Sequence, residues 1–519
     1  MEVSRYIQQQ FDKVSIVRQV KQMRNTAFTL TGLVLLTCGA CGPGADTHVE
    51  KNKSLIESAN GGGRAPQSVA AKPEITPVAA PEVPDDAPSI ETDWPIFLGP
   101  TGDSKSTEKG ILTKWPKEGL KVLWQRELGT GYGIGSVSKG RYYQFDKFDE
   151  KARLVCLDAK TGQEIWKYTY ASEYQDQYGY DDGPRASPII DDDRVYLYGV
   201  EGMLTCLNAK NGEKIWQIDV NDKFGVIQNF FGVGSTPVIE GDLLIVMVGG
   251  SPAEDKELPP GQLDRVSSNK TAIVAFDKRT GEVKYKMGED LASYASLKLA
   301  TIGERRWCFA FCREKLIAFD PANGKIDFAY PWRARILESV NAAMPAVWGN
   351  HVFISETYGP GSSLLKVKPG AFEVVWNDED RPREAAMKCH WATPIYHKGY
   401  LYGSSGRHTD NAELRCIEAA TGKVMWSVPD LTRCSLLYVD GHFVVLGEYG
   451  KLMLIKANPQ KYELVAETTM RAPAKPEDPG GLQPLLFNHP AWAAPILSHG
   501  LLYVRGKDRV ACLELIKRP

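Results

Sequence analysis

Leu154-Val155-Cys156-Leu157-Asp158-Ala159-Lys160-Thr161-Gly162-Gln163-Glu164-Ile165-Trp166 returns almost intact as Leu204-Thr205-Cys206-Leu207-Asn208-Ala209-Lys210-Asn211-Gly212-Glu213-Lys214-Ile215-Trp216. Each copy reads as an apolar strand, an acidic or amide residue, a Thr-Gly or Asn-Gly turn, and an aromatic four residues past the glycine. Further copies stand at 273–285, 316–328 and 414–426. Looser ones stand at 364–376, where the aromatic lies six past Gly370, and at 452–464, where no glycine remains; a half-copy at 510–514 ends the chain. A unit of roughly 40–50 residues built only from strands and tight turns cannot bury its own faces and must stack on its neighbours, which predicts a β-propeller.

Working outward, each copy is preceded by a small residue, often proline, then two short apolar strands joined by a polar turn. Ala186-Ser187-Pro188 leads into Arg194–Tyr198, and Ala392-Thr393-Pro394 leads into Tyr400. Thr236-Pro237, Met344-Pro345 and Ala494-Pro495 repeat the opening, with weaker versions near Gly135, Lys298 and Ser435. Proline at the first position of a strand loses no ladder hydrogen bond. The two pieces give four strands per blade, A to D, and the A–B–C units number eight. The eighth, Ala493–Leu513, has no strand D after it, while Leu120–Leu128 with Trp124 is a strand D with no motif before it. Pairing the two closes the ring without open edges. The expected fold is therefore all-β: an eight-bladed propeller of four-stranded antiparallel blades, its last blade completed by the N-terminal strand.

The remaining composition fits that scaffold. Twelve Trp and 22 Tyr suit blades that pack through aromatics. A net charge of −2, with both signs interspersed, leaves no footprint for nucleic acid. Of ten cysteines, Cys156, Cys206, Cys416 and Cys512 share a slot that holds Ala275 and Ala318 in other repeats. That marks a small buried position, too far from its equivalents to bridge. Cys308 and Cys312 are about 13 Å apart along an extended strand. Cys389 and Cys434, each ahead of a blade's first strand, form the one candidate pair. No disulfide framework and no metal-ligand spacing emerge.

Three segments are expected. Residues 1–41 hold an apolar stretch, Thr26–Cys41, preceded by Arg18, Lys21 and Arg24. Too short for a membrane span, it suits a signal peptide. Its end, Leu35-Leu36-Thr37-Cys38-Gly39-Ala40-Cys41, resembles a bacterial lipoprotein signal with Cys41 as the lipidated residue; an uncleaved anchor is the alternative, and Met23 would make an ordinary signal start. Residues 42–92, rich in Pro, Ala, Gly and acidic residues, read as a disordered tether. Residues 93–519 are the propeller. Both N-terminal readings place it outside the cytoplasm, attached to a membrane, and the propeller itself is expected to be monomeric.

Loop lengths are unequal between the two faces. The A–B and C–D turns are tight, whereas the long insertions (167–185, 249–270, 377–391 and 471–492) fall in D–A or B–C connections, which share the opposite face. Loops on a rigid scaffold carry function, so that face is the expected binding face. The residue three before the strand-A proline should ring the axis there. Counting gives Tyr132, Arg185, Gly234, Ala295, Ala342, Trp391, Arg433 and Trp492, with His390, Asn341, His489, Glu356 and His408 nearby. Two Trp, two Arg and a Tyr around one opening suit a planar, sugar-like or anionic ligand.

The A-x-D-x-x-T-G-x-x-x-W pattern resembles the tryptophan-docking motif of PQQ-dependent quinoprotein dehydrogenases and of the PQQ-like repeats in BamB-type barrel-assembly lipoproteins. The resemblance covers residue 93 onward, and Asp93-Trp94-Pro95-Ile96-Phe97-Leu98-Gly99-Pro100 is similar to the opening of a PQQ-like repeat group. It implies that Trp124, Trp166, Trp216, Tyr285, Phe328, Trp376 and Trp426 each dock on the neighbouring blade. It also implies two activities. A quinoprotein would hold PQQ over the channel with a calcium ion, a catalytic Asp and, in many members, a disulfide between adjacent cysteines. This sequence has no Cys-Cys pair, and no residue can be matched to the calcium ligands or the catalytic Asp. Asp181-Asp182 and Asp410 lie on the expected face but read as solvated acids. The preferred reading has no catalytic residue, no metal and no resident cofactor: a tethered binding scaffold that meets a protein or glycan, with the role in outer-membrane assembly that the lipoprotein resemblance implies. A PQQ-dependent dehydrogenase with calcium is the alternative, and a carbohydrate-binding accessory is a third class.

Overall fold

The computed structural model describes residues 92–227, 230–258, 262–379, 381, 383–472 and 483–517. The chain divides into two compact units at Glu74/Ile75, and every described residue belongs to the second. The leader with Cys41 and the tether up to residue 91 lie outside the described residues.

Eight four-stranded antiparallel sheets form the blades. In blade 1, strands A to D are Ser136–Ser138, Arg141–Phe148, Lys151–Asp158 and Glu164–Ala171. Blades 2 to 7 follow over 189–219, 238–287, 298–331, 346–377, 395–428 and 434–469. Blade 8 takes Ile496–Ser498, Leu501–Arg505 and Arg509–Glu514 from the C-terminal end, and Val122–Glu127 as its strand D. Gln125 pairs with Ala511 and Arg126 with Val510, so the first and last strands close the ring as expected. One boundary moves: strand D of blade 1 runs on to Ala171, because Trp166, Tyr168 and Tyr170 alternate with exposed residues and continue the pleat beyond the expected loop start at Lys167.

The repeat motif joins each blade to the next. Trp124 Nε1 donates to Ala159 O at 3.0 Å, Trp166 Nε1 to Ala209 O at 3.2 Å, and Trp216 Nε1 to Lys278 O at 3.2 Å. Tyr285 OH donates to Pro321 O at 2.8 Å, Trp376 Nε1 to Ala419 O at 3.0 Å, and Trp426 Nε1 to Asn458 O at 2.9 Å. In every case the carbonyl lies in the C–D turn of the following blade. Phe328, which has no donor, packs on Phe372 of that blade at 4.9 Å. The turn glycine makes room for the incoming ring: a Cβ on Gly162 would sit 2.6 Å from Trp124, and one on Gly212 2.5 Å from Trp166. Asp158 shapes its turn by accepting hydrogen bonds from the backbone N of Lys160 and Thr161.

The shared Cys/Ala slot also has a cause. Cys156, Cys206, Cys416 and Cys512 pair across the sheet with Trp166, Trp216, Trp426 and Trp124, and Ala275 and Ala318 with Tyr285 and Phe328. A bulge sits beside each of these pairs and turns the aromatic toward the next blade. A small residue opposite leaves space for it. All eight described cysteines are buried and none is in a disulfide, Cys389 and Cys434 included.

The segment from Asp93 to Ser106 closes the channel on the A–B-turn face. Trp94, fully buried, exchanges two 2.8 Å backbone bonds with Val137 of blade 1. Pro95 O accepts from Ile190 N of blade 2 at 2.9 Å, and Ser104 O from Tyr438 N of blade 7 at 2.9 Å. Lys298 of blade 4 donates Nζ to Thr101 O at 2.8 Å and Gly102 O at 2.6 Å. Ser498 of blade 8 donates Oγ to Thr92 O at 2.7 Å. Blades 4 and 8 stand opposite each other, so the segment spans the axis.

Candidate functional site

Above this floor lies a cavity of about 660 Å³ that reaches the face of the long D–A and B–C connections. Phe97 and Leu98 of the plug line its bottom. Of the eight ring positions read from the sequence, Tyr132, Arg185, Gly234, Ala342, Trp391, Arg433 and Trp492 line its wall. The eighth, Ala295, is fully buried, and its neighbours Tyr294 and Ser296 line the cavity instead. Each ring residue sits just before a strand A, and the eight strands A surround the axis.

The side chains form a connected assembly. Tyr132 and Trp492 pack with ring centroids 4.8 Å apart at 46°, Trp492 and Trp391 at 4.6 Å and 40°, and Trp391 and His390 at 5.0 Å. The Arg433 guanidinium lies 4.8 Å from the Trp391 ring and 5.1 Å from that of Trp492, beside the contacting pair. It is held there by Glu448, whose side chain is fully buried. Glu448 Oε2 accepts from Arg433 Nε at 3.0 Å, Arg433 Nη2 at 2.6 Å and Trp492 Nε1 at 3.1 Å. Its Oε1 accepts from Arg433 N at 3.1 Å and Thr409 Oγ1 at 3.0 Å. Burial alone would raise this carboxyl's pKa; hydrogen bonds from His489, Arg433 and Trp492 outweigh it and hold the group well below the usual carboxylate range.

The second ring arginine is engaged in the same way. Arg185 Nη2 donates to Asp176 Oδ2 at 2.8 Å and Asp181 O at 2.9 Å, and Nη1 donates to Gly183 O at 2.9 Å. Its guanidinium lies 5.6 Å from the Tyr132 ring. Both arginines therefore enter the cavity wall as internal ion pairs. Arg407, which the ring count does not include, also lines the cavity and lies over Tyr358 at 4.2 Å; among the described residues no carboxylate pairs with it.

His390 lines the cavity with Nε2 3.3 Å from Tyr358 OH. Burial, then the nearby Arg433 and Arg407, push its pKa down to about 3, so the imidazole is neutral at ordinary pH. His489 and His408 stand at the mouth. Asn341 does not reach the cavity. Its amide is buried and donates to Cys312 O at 2.8 Å and Trp332 O at 3.2 Å, tying the loop backbone together. Glu356 is likewise structural, accepting Tyr358 N at 2.7 Å and Gly359 N at 2.6 Å; burial lifts its pKa to about 7 against those bonds. Asp181 lines the cavity and accepts Gly183 N at 2.8 Å.

A quinone–calcium couple would need a cluster of carboxylate ligands and an open slot for a flat ring. Among the described residues no group of three His, Cys, Asp or Glu is placed to hold a metal ion.

Fold and site together define an eight-bladed propeller with a central cavity floored by its own N-terminal segment. The sequence profile described as outer membrane protein assembly factor BamB matches residues 109–254 and 253–428, and the chain belongs to that family. Among solved structures, BamB from Moraxella catarrhalis is similar at 12% identity over 77% of this chain and 99% of that one, with a TM-score of 0.50. The quinohemoprotein alcohol dehydrogenase of Comamonas testosteroni is similar at 14% identity over 82% of this chain and 81% of that one, with a TM-score of 0.47. At such identities the likeness is one of fold. A search of curated proteins gave no match.

Proposed function

We propose that this chain is a non-catalytic binding propeller, tethered outside the cytoplasm, that presents its long-loop face to a partner and serves as a scaffold in outer-membrane protein assembly. Membership of the BamB family supports an extracytoplasmic place and a protein-binding role. The observation that carries the reading is the asymmetry of the two faces. The chain enters the propeller at Thr92, beside the A–B turn Ser498–Gly500, where Asp93 Oδ1 meets His499 Nε2 at 2.9 Å. The cavity and the long loops are on the other face. In this reading the tether over 42–92, anchored through Cys41 or an uncleaved leader, joins the propeller at Thr92, on the face opposite the cavity.

Aromatic side chains at the rim support the same assignment. Tyr180 and Tyr178 are 66% and 51% exposed, and both pack on Phe231. Exposed tyrosines on ordered loops make strong contacts at low entropic cost. The test is complementation: cells lacking the chain should lose outer-membrane β-barrel proteins. The parent should restore them, and the Tyr178→Asp/Tyr180→Asp variant should not. Unchanged barrel-protein levels in the null strain would reject the assembly role. Among the described residues no helix is long and apolar enough to cross a membrane, so this reading rests attachment on the N-terminal segment.

A further inference from the structure

The cavity at the centre of the long-loop face has a chemistry of its own. Its aromatic wall is faceted: successive rings tilt by 46° and 40°, so neither Tyr132 and Trp492 nor Trp492 and Trp391 stack in parallel. A flat ligand gains most between parallel faces, which neither of these pairs offers, and Arg433, locked by Glu448, packs against the Trp391–Trp492 pair. A concave, faceted wall suits a puckered ring, whose C–H bonds point their weakly positive hydrogens at the negative face of one aromatic at a time.

The charges narrow the class further. Arg185 and Arg433 are neutralised within the wall, and His390 is too deeply buried beside cations to carry charge. Two lining cations have no carboxylate partner among the described residues, the half-buried Arg407 and the exposed Lys507, against one lining carboxylate, Asp181, which accepts Gly183 N; Arg407 is the one supported within the wall. One face of it rests on Tyr358 at 4.2 Å. Its backbone carbonyl accepts Arg433 Nη1 at 3.2 Å, so the Arg407 backbone borders the Trp391–Trp492 wall. A guanidinium supported on one face offers its N–H fork edge-on, the geometry that grips a carboxylate with two bonds. The cavity's volume of about 660 Å³ is in the range that encloses small ligands. Its closed floor of Phe97 and Leu98 admits a chain end but no threading polymer.

Resting on the long-loop face as the binding face, we propose that the cavity holds the terminal residues of an acidic sugar. A uronic-acid ring lies against Trp492 and Tyr132, and its carboxylate is forked by Arg407.

The test is titration of the purified full-length chain, followed by tryptophan fluorescence, with trigalacturonic acid, cellotriose and 2,6-naphthalenedicarboxylate. Trigalacturonic acid should bind tightest. Arg407→Gln should weaken it by roughly 10- to 100-fold, the effect of one charge-assisted fork, with cellotriose unchanged and Arg407→Lys recovering part of the loss. An unshifted melting temperature identifies variants that are folded. No saturation by trigalacturonic acid at millimolar concentration, equal affinity for cellotriose, or preference for the flat diacid would overturn the proposal. A failure here combined with loss of complementation by the Tyr178/Tyr180 variant would sink the sugar and keep the face. Failure of both would sink the face as well.

Discussion

Replacing Glu448 by Gln keeps the size of the side chain and removes its charge. In the parent, Glu448 receives three hydrogen bonds from Arg433 and one from Trp492, with its own side chain 0% and that of Arg433 15% exposed. The variant leaves a cation against two tryptophans without its counter-charge. Breaking one partner of a buried pair costs about 3–5 kcal/mol. Unfolding entropy near 2.1 cal/mol/K per residue over roughly 400 ordered residues is about 0.8 kcal/mol/K, so the melting temperature should fall by roughly 4–6 K. Scanning calorimetry at pH 7 reads this directly.

The pH dependence supplies a second check on the same substitution. The folded-state pKa of Glu448 is depressed, so its stabilisation is complete above the unfolded value of about 4.3 and is lost as pH falls toward the folded value. Parent and variant should therefore converge on acidification. A variant that melts within about 1 K of the parent at pH 7, or a gap that stays constant into acid, would refute the reasoning that one ion pair organises this wall.

Three further outcomes follow from the scaffold. Trp216→Phe keeps an aromatic ring but removes the 3.2 Å bond to Lys278 O, which still accepts Tyr196 OH at 3.0 Å, and should lower stability by about 1 kcal/mol in urea titrations. Gly162 and Gly370 share a positive φ, +69° and +75°, but only Gly162 has a ring 2.6 Å from the Cβ position. Gly370→Ala should therefore cost about 1 kcal/mol of backbone strain, and Gly162→Ala roughly 3 kcal/mol, measured by the same titration. Glu356 has its folded pKa raised to about 7, so the folded protein holds a proton that the unfolded chain releases between about pH 4.3 and 7. Stability should fall with rising pH across that window, and Glu356→Gln should flatten the slope in melting curves taken from pH 4 to pH 8.

The eight-blade ring was legible because its signal is local and repeated. Asp158, Gly162 and Trp166 each serve a turn or a neighbouring blade, and the spacing between them survives in copy after copy. The closing strand was legible by counting, since Leu120–Leu128 had no other blade to join. The ring of cavity residues could be reached because strand A fixes a register, and a fixed offset from it places Arg185, Trp391, Arg433 and Trp492 around one axis.

Glu448 was not legible for the opposite reason. It stands in a Gly-Glu-Tyr-Gly turn that reads as solvated, and its burial comes from Arg433, Thr409 and Trp492, which belong to other segments. Arg407 shares that difficulty, since its place depends on Tyr358, far away in sequence. The plug was visible only as the unusual string from Asp93 to Pro100. Nothing local says that Trp94 pairs with Val137, or that Lys298 of blade 4 reaches across to Thr101. Asn341 shows the converse error, a polar residue beside the ring position Ala342 whose amide turns into the backbone.

The central claim is that this protein works through its long-loop face, and site-specific photocrosslinking in living cells tests it most directly. A photoreactive residue at Tyr178 or Tyr180 should give partner adducts. The same residue at Asp192 or Gly241, in A–B turns on the face that the N-terminal chain enters, should give none. Adducts from Asp192 or Gly241, with none from the tyrosines, would contradict the account.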